Sequence, residues 1–453
     1  MTVPRRFLMP MWEGGGTLPP ELGVARRLIV RGHAVHVLGD PTISDQARAA
    51  GCSFSPWRRA PHRTSLDPAQ DPIKDWETSN PLAMITRVCD RFIAGPAEDY
   101  AADTADTIAV VRPDVVVPDF LLFGSIIAAQ AAELPVAPLV PQIWALPSEG
   151  APAFGAGFPL AKGVLGRSRD AVMRRIVNRL FDRALPTLDA ARRAHGLAPL
   201  RSFYDQVLDT DAILVLSSPT FDFAAPFTPA NVSYVGPILD DPSWAEPWQQ
   251  PWPQSNRDPL VLVGFSSTFQ DQMPLLQRVV QALSAMPVRA VVTIGQMLDP
   301  GELTATDNVA VVRSAPHEAI LPQASLTVTH GGHGTVMKSL AAGVPMVCIP
   351  MGRDQNDNAA RIVHHGAGIR LATRASTTRI TRAVETVLAQ PHYRASAQRL
   401  AVAIADESQH ADVAARIEAL IQHPNPPTLR RNPRHEPATE PKRDQRPVSL
   451  PAE

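Results

Sequence analysis

Cysteine is scarce in this chain: Cys52, Cys89 and Cys348 are the only three among 453 residues. They lie far apart, with no Cys-x-x-Cys pair and no metal-ligand spacing. The pattern excludes a disulfide scaffold and a zinc module, and a reduced, cytoplasmic chain is the simplest expectation. Long apolar runs are missing as well. The first one follows Arg5 and Arg6 and is broken by Pro10, Glu13 and three glycines, which is too interrupted for a signal peptide. No stretch approaches the roughly 18 to 20 apolar residues of a membrane span. There is also no excess of charge: 43 Lys and Arg face 44 Asp and Glu, a net charge of −1. No overall field therefore draws the chain to nucleic acid.

What is present is an ordinary globular balance, 45% hydrophobic and 19% charged. At roughly 150 residues per domain the length suggests two or three domains. Proline is abundant, at 46 against 26 glycines. It clusters at 237–259, which reads as a linker, and beyond Pro424, which reads as a disordered tail.

Strand–loop–helix–strand units recur along the chain. The first runs from Phe7 to Met11, through a helical pattern from Pro20 to Arg31, to the alternating strand His33–Leu38. Val115–Val117, Pro135–Val140 and Ala212–Leu216 read as further strands, with amphipathic helices inserted over 157–195. After the linker the pattern starts again. Strands are expected at Leu260–Phe265, Arg289–Ile294, Val309–Val312, Leu326–Thr329 and Pro345–Ile349, with helices at Gln272–Ala285, Thr335–Ala342 and Ala359–His365. The expected architecture is α/β, with two doubly wound halves. The boundaries are 1–236, the linker 237–259, 260–395, a helical stretch 396–422 packing back on the first half, and the tail 423–453.

The segment Thr329-His330-Gly331-Gly332-His333-Gly334-Thr335 joins an expected strand to an expected helix. Glycines there let backbone N–H groups approach an anion, and the helix N-terminus adds its positive dipole end. Thr335 is placed to cap the helix and to donate to a phosphate oxygen. His330 would donate to a phosphate or neutralise it in part. Taken alone, the segment is equally a glycine-rich turn with incidental histidines. Gly343-Val344-Pro345 follows, then Pro350 and Asp354-Gln355-Asn356-Asp357-Asn358.

With those residues the chain resembles the large glycosyltransferase family that includes UDP-glycosyltransferases and bacterial natural-product glycosyltransferases. That family carries a His-Gly-Gly-x-Gly-Thr/Ser loop, then Gly-Val-Pro, then a Pro-x-x-x-Asp-Gln-x-x-Asn run. The resemblance spans roughly residues 5–422 and implies a GT-B fold, two Rossmann-like domains facing across a cleft. It implies that His330, Gly332, Gly334 and Thr335 hold the diphosphate of a UDP- or dTDP-sugar without a metal or other cofactor, with His333 in the same donor site. It also implies that Asp354 and Gln355 bind hydroxyls of the transferred sugar. Ser267 and Thr268, ending the Leu260–Phe265 strand, match the family's phosphate-side turn, although Ser266 stands where glycine is usual; a plain turn is the alternative. Ala315, in Ala315-Pro316-His317, stands where the family clasps the nucleobase, without the usual aromatic or glutamine-rich form.

The first half departs from the pattern. The family supplies a histidine as general base in its first loop, oriented by an aspartate. Here Thr17 occupies the histidine's place, in Gly14-Gly15-Gly16-Thr17-Leu18-Pro19-Pro20, and Asp119 matches the aspartate. Threonine is no base at neutral pH. Either Asp119 takes the proton itself, directly or through Thr17 or a water, or it only caps a helix or bonds its own loop. His33 and His36 belong to a structural Arg-Gly-His-x-Val run. Phe123 and Trp144 are candidate acceptor contacts. Phe154, Phe158, Leu160, Val164 and Leu165 open a basic insert, with nine Lys and Arg against three Asp between Lys162 and Arg193. That insert would line a hydrophobic acceptor pocket, rest peripherally on an anionic membrane, or simply be a solvated helix face.

The function expected from the resemblance is inverting transfer of a hexosyl or deoxyhexosyl group from a UDP- or dTDP-sugar. The acceptor would be a hydrophobic small molecule, polyketide-like or lipid-like. A non-catalytic nucleotide-sugar-binding protein and a nucleotide-sugar epimerase of the same architecture remain the alternatives.

Overall fold

Short apolar strands and one-sided helices sort into two parallel sheets. The computed structural model describes residues 3–78, 80–223 and 228–422; the expected disordered tail, 423–453, lies outside them. The first half contains β1 (Arg6–Pro10), α1 (Leu18–Val30), β2 (Ala34–Gly39), α2 (Ser44–Ala49), β3 (Ser53–Pro56), α3 (Pro81–Val88), α4 (Ala97–Val111), β4 (Val115–Val116), α5 (Phe123–Ala131) and β5 (Leu139–Val140). It continues with α6 (Gly163–Asp182), α7 (Leu185–Ala194), α8 (Asp205–Leu208), β6 (Ile213–Val215) and β7 (Val232–Tyr234). The strands run in the orders β3-β2-β1-β4 and β5-β6-β7, all parallel. Isolated bridges, Val116 to Val136 and Asp119 to Leu139, join the two sets.

The second half contains β8 (Leu260–Gly264), α9 (Met273–Ser284), β9 (Arg289–Thr293), β10 (Val309–Val312), α10 (His317–Ile320), β11 (Leu326–Thr329), α11 (His333–Ala341), β12 (Met346–Cys348), α12 (Gln355–His364), β13 (Gly368–Arg370), α13 (Thr377–Ala389), α14 (Pro391–His410) and α15 (Val413–Gln422). Its sheet is β10-β9-β8-β11-β12-β13, again parallel. Both halves are Rossmann-like. Strand β8 is buried at every position because helices cover both sheet faces. Helix α9 supplies one such cover, burying Leu275, Leu276, Val279, Val280 and Leu283.

The C-terminal helices depart from expectation. The stretch 396–422 is not one helix: α14 ends at His410 and α15 begins at Val413. Helix α14 packs on α11 through Ala397, Leu400 and Ile404, within the second half. Glu407 of α14 also touches the first half, accepting from the Thr220 amide at 3.1 Å, but it is α15 that places Val413, Ala414 and Ile417 in the core beneath α1. Arg31 pairs with Asp412 and Glu418, and His33 Nε2 lies 2.7 Å from Glu418, which gives that histidine its structural role. His36 likewise bonds the hydroxyls of Ser53 and Ser55.

The segment between the halves is stitched to both. Asp240 pairs with Arg26 and Arg27 of α1, while Asp241 pairs with Lys338 of α11. Further on, Asp222 and Arg361 form a buried ion pair at 2.7 Å, linking the end of the first half to α12.

Candidate functional site

In an open parallel sheet, ligands sit beyond the carboxyl ends of the strands where the strand order reverses. Here those points lie between β1 and β4 and between β8 and β11. The loops that leave these strands all enter one cleft of about 600 Å³, a volume ordinary for a small-molecule site. Its walls include Gly14–Thr17 and Asp119 from the first half, and Ser266, Ser267, His330, Gly332–Thr335 and Arg353–Gln355 from the second.

The second-half wall is built around the start of α11. Gly331 has φ +91° and its amide donates to Thr329 Oγ1 at 3.1 Å, which completes the chain reversal early. The helix therefore begins at His333, and Gly332, extended at φ −61° and ψ 137°, is its cap. This corrects the expectation that Thr335 caps it: Thr335 lies in the first turn, among amides that have no earlier carbonyl to bond. A Cβ on Gly332 would meet His330 Nε2 at 2.5 Å, so glycine is required for the imidazole to lie there. His330 stacks on Phe265, with Nδ1 3.4 Å from Gly264 O, and burial pushes its pKa down to about 4. In the free protein the ring is neutral. Of the two roles expected for it, neutralising a phosphate requires that it take up a proton as the anion arrives. His333 is also pushed down to about 4 by burial, and its Nε2 reaches across to Leu216 O at 3.3 Å.

The Asp354–Asn358 run forms the N-terminal turn of α12. Burial pushes Asp354 up to about 6, while Asn358 donates to its Oδ2 at 2.7 Å and to Gly331 O at 2.9 Å. One side chain thus locks the two donor-side loops together. Gln355 is heavily engaged: its Oε1 accepts from the amides of Met351 and Gly352, and its Nε2 donates to Gln270. A single N–H of that amide is left for a ligand. Ser267 lines the cleft, but Thr268 sits behind it, bonded to Ser266 Oγ at 3.0 Å and to Arg353 at 2.9 Å. Ala315 lines the far end with His317, Gln296 and Trp244. Trp244 comes from the segment that the sequence assigns to a linker.

Arg353 was not legible as a site residue. It takes φ +54° and turns its guanidinium toward Asp75 of the first half, with Nη2 3.1 Å from Oδ1. Burial alone would raise the Asp75 pKa, but the charge and hydrogen bonds of Arg353 outweigh it and hold the carboxyl below its usual range. Gln270 joins the same tie. The two walls of the cleft are therefore latched beside the donor-side loops.

On the first-half wall, Thr17 immediately precedes α1, and its hydroxyl is buried without a partner among the described residues. Asp119 follows β4 and is 1% exposed. Its Oδ1 accepts from the Leu121 amide at 2.8 Å, whereas Oδ2 has no donor among the described residues. One oxygen thus bonds the loop and the other is left over. Asp119 does not cap α5, whose cap is Leu122. Phe123 and Trp144 both line the cleft, with Trp12, Ile85, Val88 and Phe181 extending the apolar wall. Of the insert, Phe154 lines it, but Val164 and Leu165 are 69% and 87% exposed on the outer face of α6. Met173, Val177 and Phe181, on the inner face, take the place expected for them.

The full-length comparison decides the family. The chain is 30% identical over 423 residues to the 4'-demethylrebeccamycin synthase of Lentzea aerocolonigenes, covering 92% of this chain and 99% of that protein. This chain belongs to the natural-product glycosyltransferases. It is also similar to the oleandomycin glycosyltransferase of Streptomyces antibioticus, 28% identical over 92% of this chain and 91% of that one. Residues 277–420 of the glycosyltransferase match the family described as erythromycin biosynthesis protein CIII-like, C-terminal domain. Among solved structures, the glycosyltransferase of kitacinnamycin superposes with a TM-score of 0.72 at 23% identity, over 92% of this chain and 99% of that one. A calicheamicin glycosyltransferase gives 0.70 at 22%, over 94% and 100%. The fold of this glycosyltransferase is GT-B, and it is a hexosyltransferase by family. No helix among the described residues is long and apolar enough to cross a membrane.

Proposed function

We propose that this glycosyltransferase moves a hexosyl or deoxyhexosyl group from a UDP- or dTDP-sugar to a hydrophobic small molecule. The acceptor is a polyketide-like or lipid-like alcohol or phenol, and the anomeric centre inverts. The observation that carries this reading is the opposition of two unlike walls in one cleft. One offers backbone amides at the start of α11, a buried imidazole and Arg353; the other offers an uncommitted carboxylate oxygen buried just behind an apolar surface. The first suits a diphosphate without a metal. The second suits a hydroxyl that must lose its proton.

In the reaction the acceptor oxygen attacks the anomeric carbon and the bond from that carbon to the diphosphate oxygen breaks. The bond's electron pair leaves with the diphosphate, and the hydroxyl proton passes to Asp119 Oδ2, directly or through Thr17 or a water. His330 faces the leaving group, with the Asp75-bound Arg353 beside it, while Asp354 and the remaining Gln355 N–H face the sugar. Support for the donor class includes a spinosyn rhamnosyltransferase solved with thymidine diphosphate, a fold neighbour at TM-score 0.62 and 21% identity, over 93% of this chain and 100% of that one.

The test is a screen of UDP- and dTDP-sugars against polyketide, phenolic and lipid alcohols, read by mass spectrometry. A product heavier by one hexosyl or deoxyhexosyl unit is expected. Nucleotide binding with no transfer and no donor hydrolysis for any pair would sink the reading. Arg353→Ala supplies a finer check. A charge-assisted hydrogen bond lost at a partly exposed position should raise the donor KM about tenfold, with a smaller change in kcat. Initial rates at varied donor concentration, with a parallel dTDP titration, measure it.

A further inference from the structure

Glu21 has no role in the proposed reaction, yet it is a carboxylate buried at the edge of the site. It lies in the first turn of α1 with its side chain fully buried, and Asp119 is the charged group next to it. Neither of its oxygens has a donor among the described residues, and Asp119 Oδ2 has none either. Two ionised carboxylates cannot bond each other, because each only accepts. The contact between Glu21 and Asp119 becomes a hydrogen bond once one of them carries a proton.

Resting on the proposed function, we infer that Glu21 is a positioning residue: it holds a proton, donates it in a hydrogen bond to Asp119, and so keeps Asp119 ionised as the base for the acceptor hydroxyl. Asp119 stands where the family has its aspartate, and Glu21 lies one helical turn beyond Thr17, which holds the histidine's place. Asp119 lines the cleft and meets the acceptor, whereas Glu21 sits behind it and acts through it. The surroundings fix which partner holds the proton. Burial, then the charge of Asp119, raise Glu21 well above the usual carboxylate range. Burial also raises Asp119, but the bond from Glu21 and the Leu121 amide pull it back. Tyr100 of α4 feels the charge of Asp119 and is itself raised, chiefly by burial, so it stays neutral. No cation is among the groups that shift either carboxyl.

In turnover, the pair starts with one proton and one negative charge. Asp119 takes the acceptor proton, giving two neutral acids, and the extra proton leaves to solvent when the product departs.

The sign of the pH effect follows. Activity falls at acid pH, as Asp119 itself becomes protonated. Removing the Glu21 donor leaves desolvation less opposed, so that limb moves to higher pH. In Glu21→Leu we expect roughly tenfold lower kcat at pH 7, recovered at alkaline pH, with Glu21→Gln intermediate because its weaker N–H still donates. The donor KM should hold. The probes are UDP-glucose and dTDP-glucose hydrolysis, with transfer to 4-nitrobenzyl alcohol and to the more acidic 4-nitrophenol. The alcohol should suffer more than the phenol.

An infrared difference spectrum between wild type and Glu21→Gln at pH 7 reads the proton without turnover. The expected result is loss of one protonated-carboxyl band. No such band, or an unmoved acid limb in both variants, overturns the inference while leaving the transferase reading intact. Full activity in Asp119→Asn would instead overturn the base assignment itself.

Discussion

Asp119→Asn lowers kcat for transfer to an aliphatic alcohol by about a hundred- to ten-thousand-fold, the range for loss of a general base. The donor KM and the affinity for dTDP stay close to wild type, because Asp119 belongs to the wall opposite the α11 loop. Asparagine keeps the carbonyl that accepts from the Leu121 amide, so the loop after β4 should hold its shape. What disappears is the second carboxylate oxygen, Oδ2, which takes no backbone amide and is the one able to receive the acceptor's proton. Thermal unfolding of the variant should therefore match wild type while turnover collapses. A loss below threefold, with an alcohol acceptor, would mean the proton leaves by another route.

The second large effect concerns stability. Arg361→Met should destabilise the protein by about 3 to 5 kcal/mol, the usual outcome when one partner of a buried ion pair is removed. Arg361 is buried against Asp222 at 2.7 Å and lies over the Phe223 ring at 4.3 Å. Asp222 also accepts from the Trp144 amide at 2.8 Å and from the Tyr234 hydroxyl at 2.9 Å. Stripped of its cation, it keeps those bonds but becomes a buried charge without a counterion. The unfolding midpoint should drop by roughly ten degrees for a change of that size. Because Trp144 hangs from the same carboxylate, the acceptor KM should rise more than the donor KM. A midpoint within two degrees of wild type would show that Asp222 finds another partner or protonates.

The parts of this molecule that could be read from its sequence are those encoded locally. Buried strands such as Leu260–Gly264 announce themselves as unbroken apolar runs, and α9 as a one-sided stripe. The donor-side wall was legible because Thr329 to Asn358 is continuous, so glycines, helix start and Asp-Gln run are all in view together. Even there, Thr335 was misplaced as a cap, since the positive φ at Gly331 that starts the helix early leaves no mark beyond a glycine.

The pairs that join distant segments were not readable. Glu21 and Asp119 are nearly a hundred residues apart in the chain, and an acid in the first turn of a helix looks like a response to the helix dipole. Arg353 and Asp75 are separated by 278 residues, and Arg361 and Asp222 by 139. Each partner alone is an ordinary surface charge, and only the fold makes a latch or a buried pair of them. The outward Val164 and Leu165 show the converse: apolar residues on a half-exposed helix do not reveal which face looks inward.

The return of α15 to the first half constrains how this enzyme could be recombined with a relative. The chain passes between the halves once near 237–259 and again at Ala411–Asp412, between α14 and α15. A chimera cut only at the first crossing would carry a foreign α15 onto the native α1. Arg31 and His33 would lose Glu418, and the sites filled by Val413, Ala414 and Ile417 would need matching residues by chance. A donor-half graft that keeps the native sequence from Asp412 onward has two junctions and should fold, whereas the single-junction version should come out of cells as aggregate.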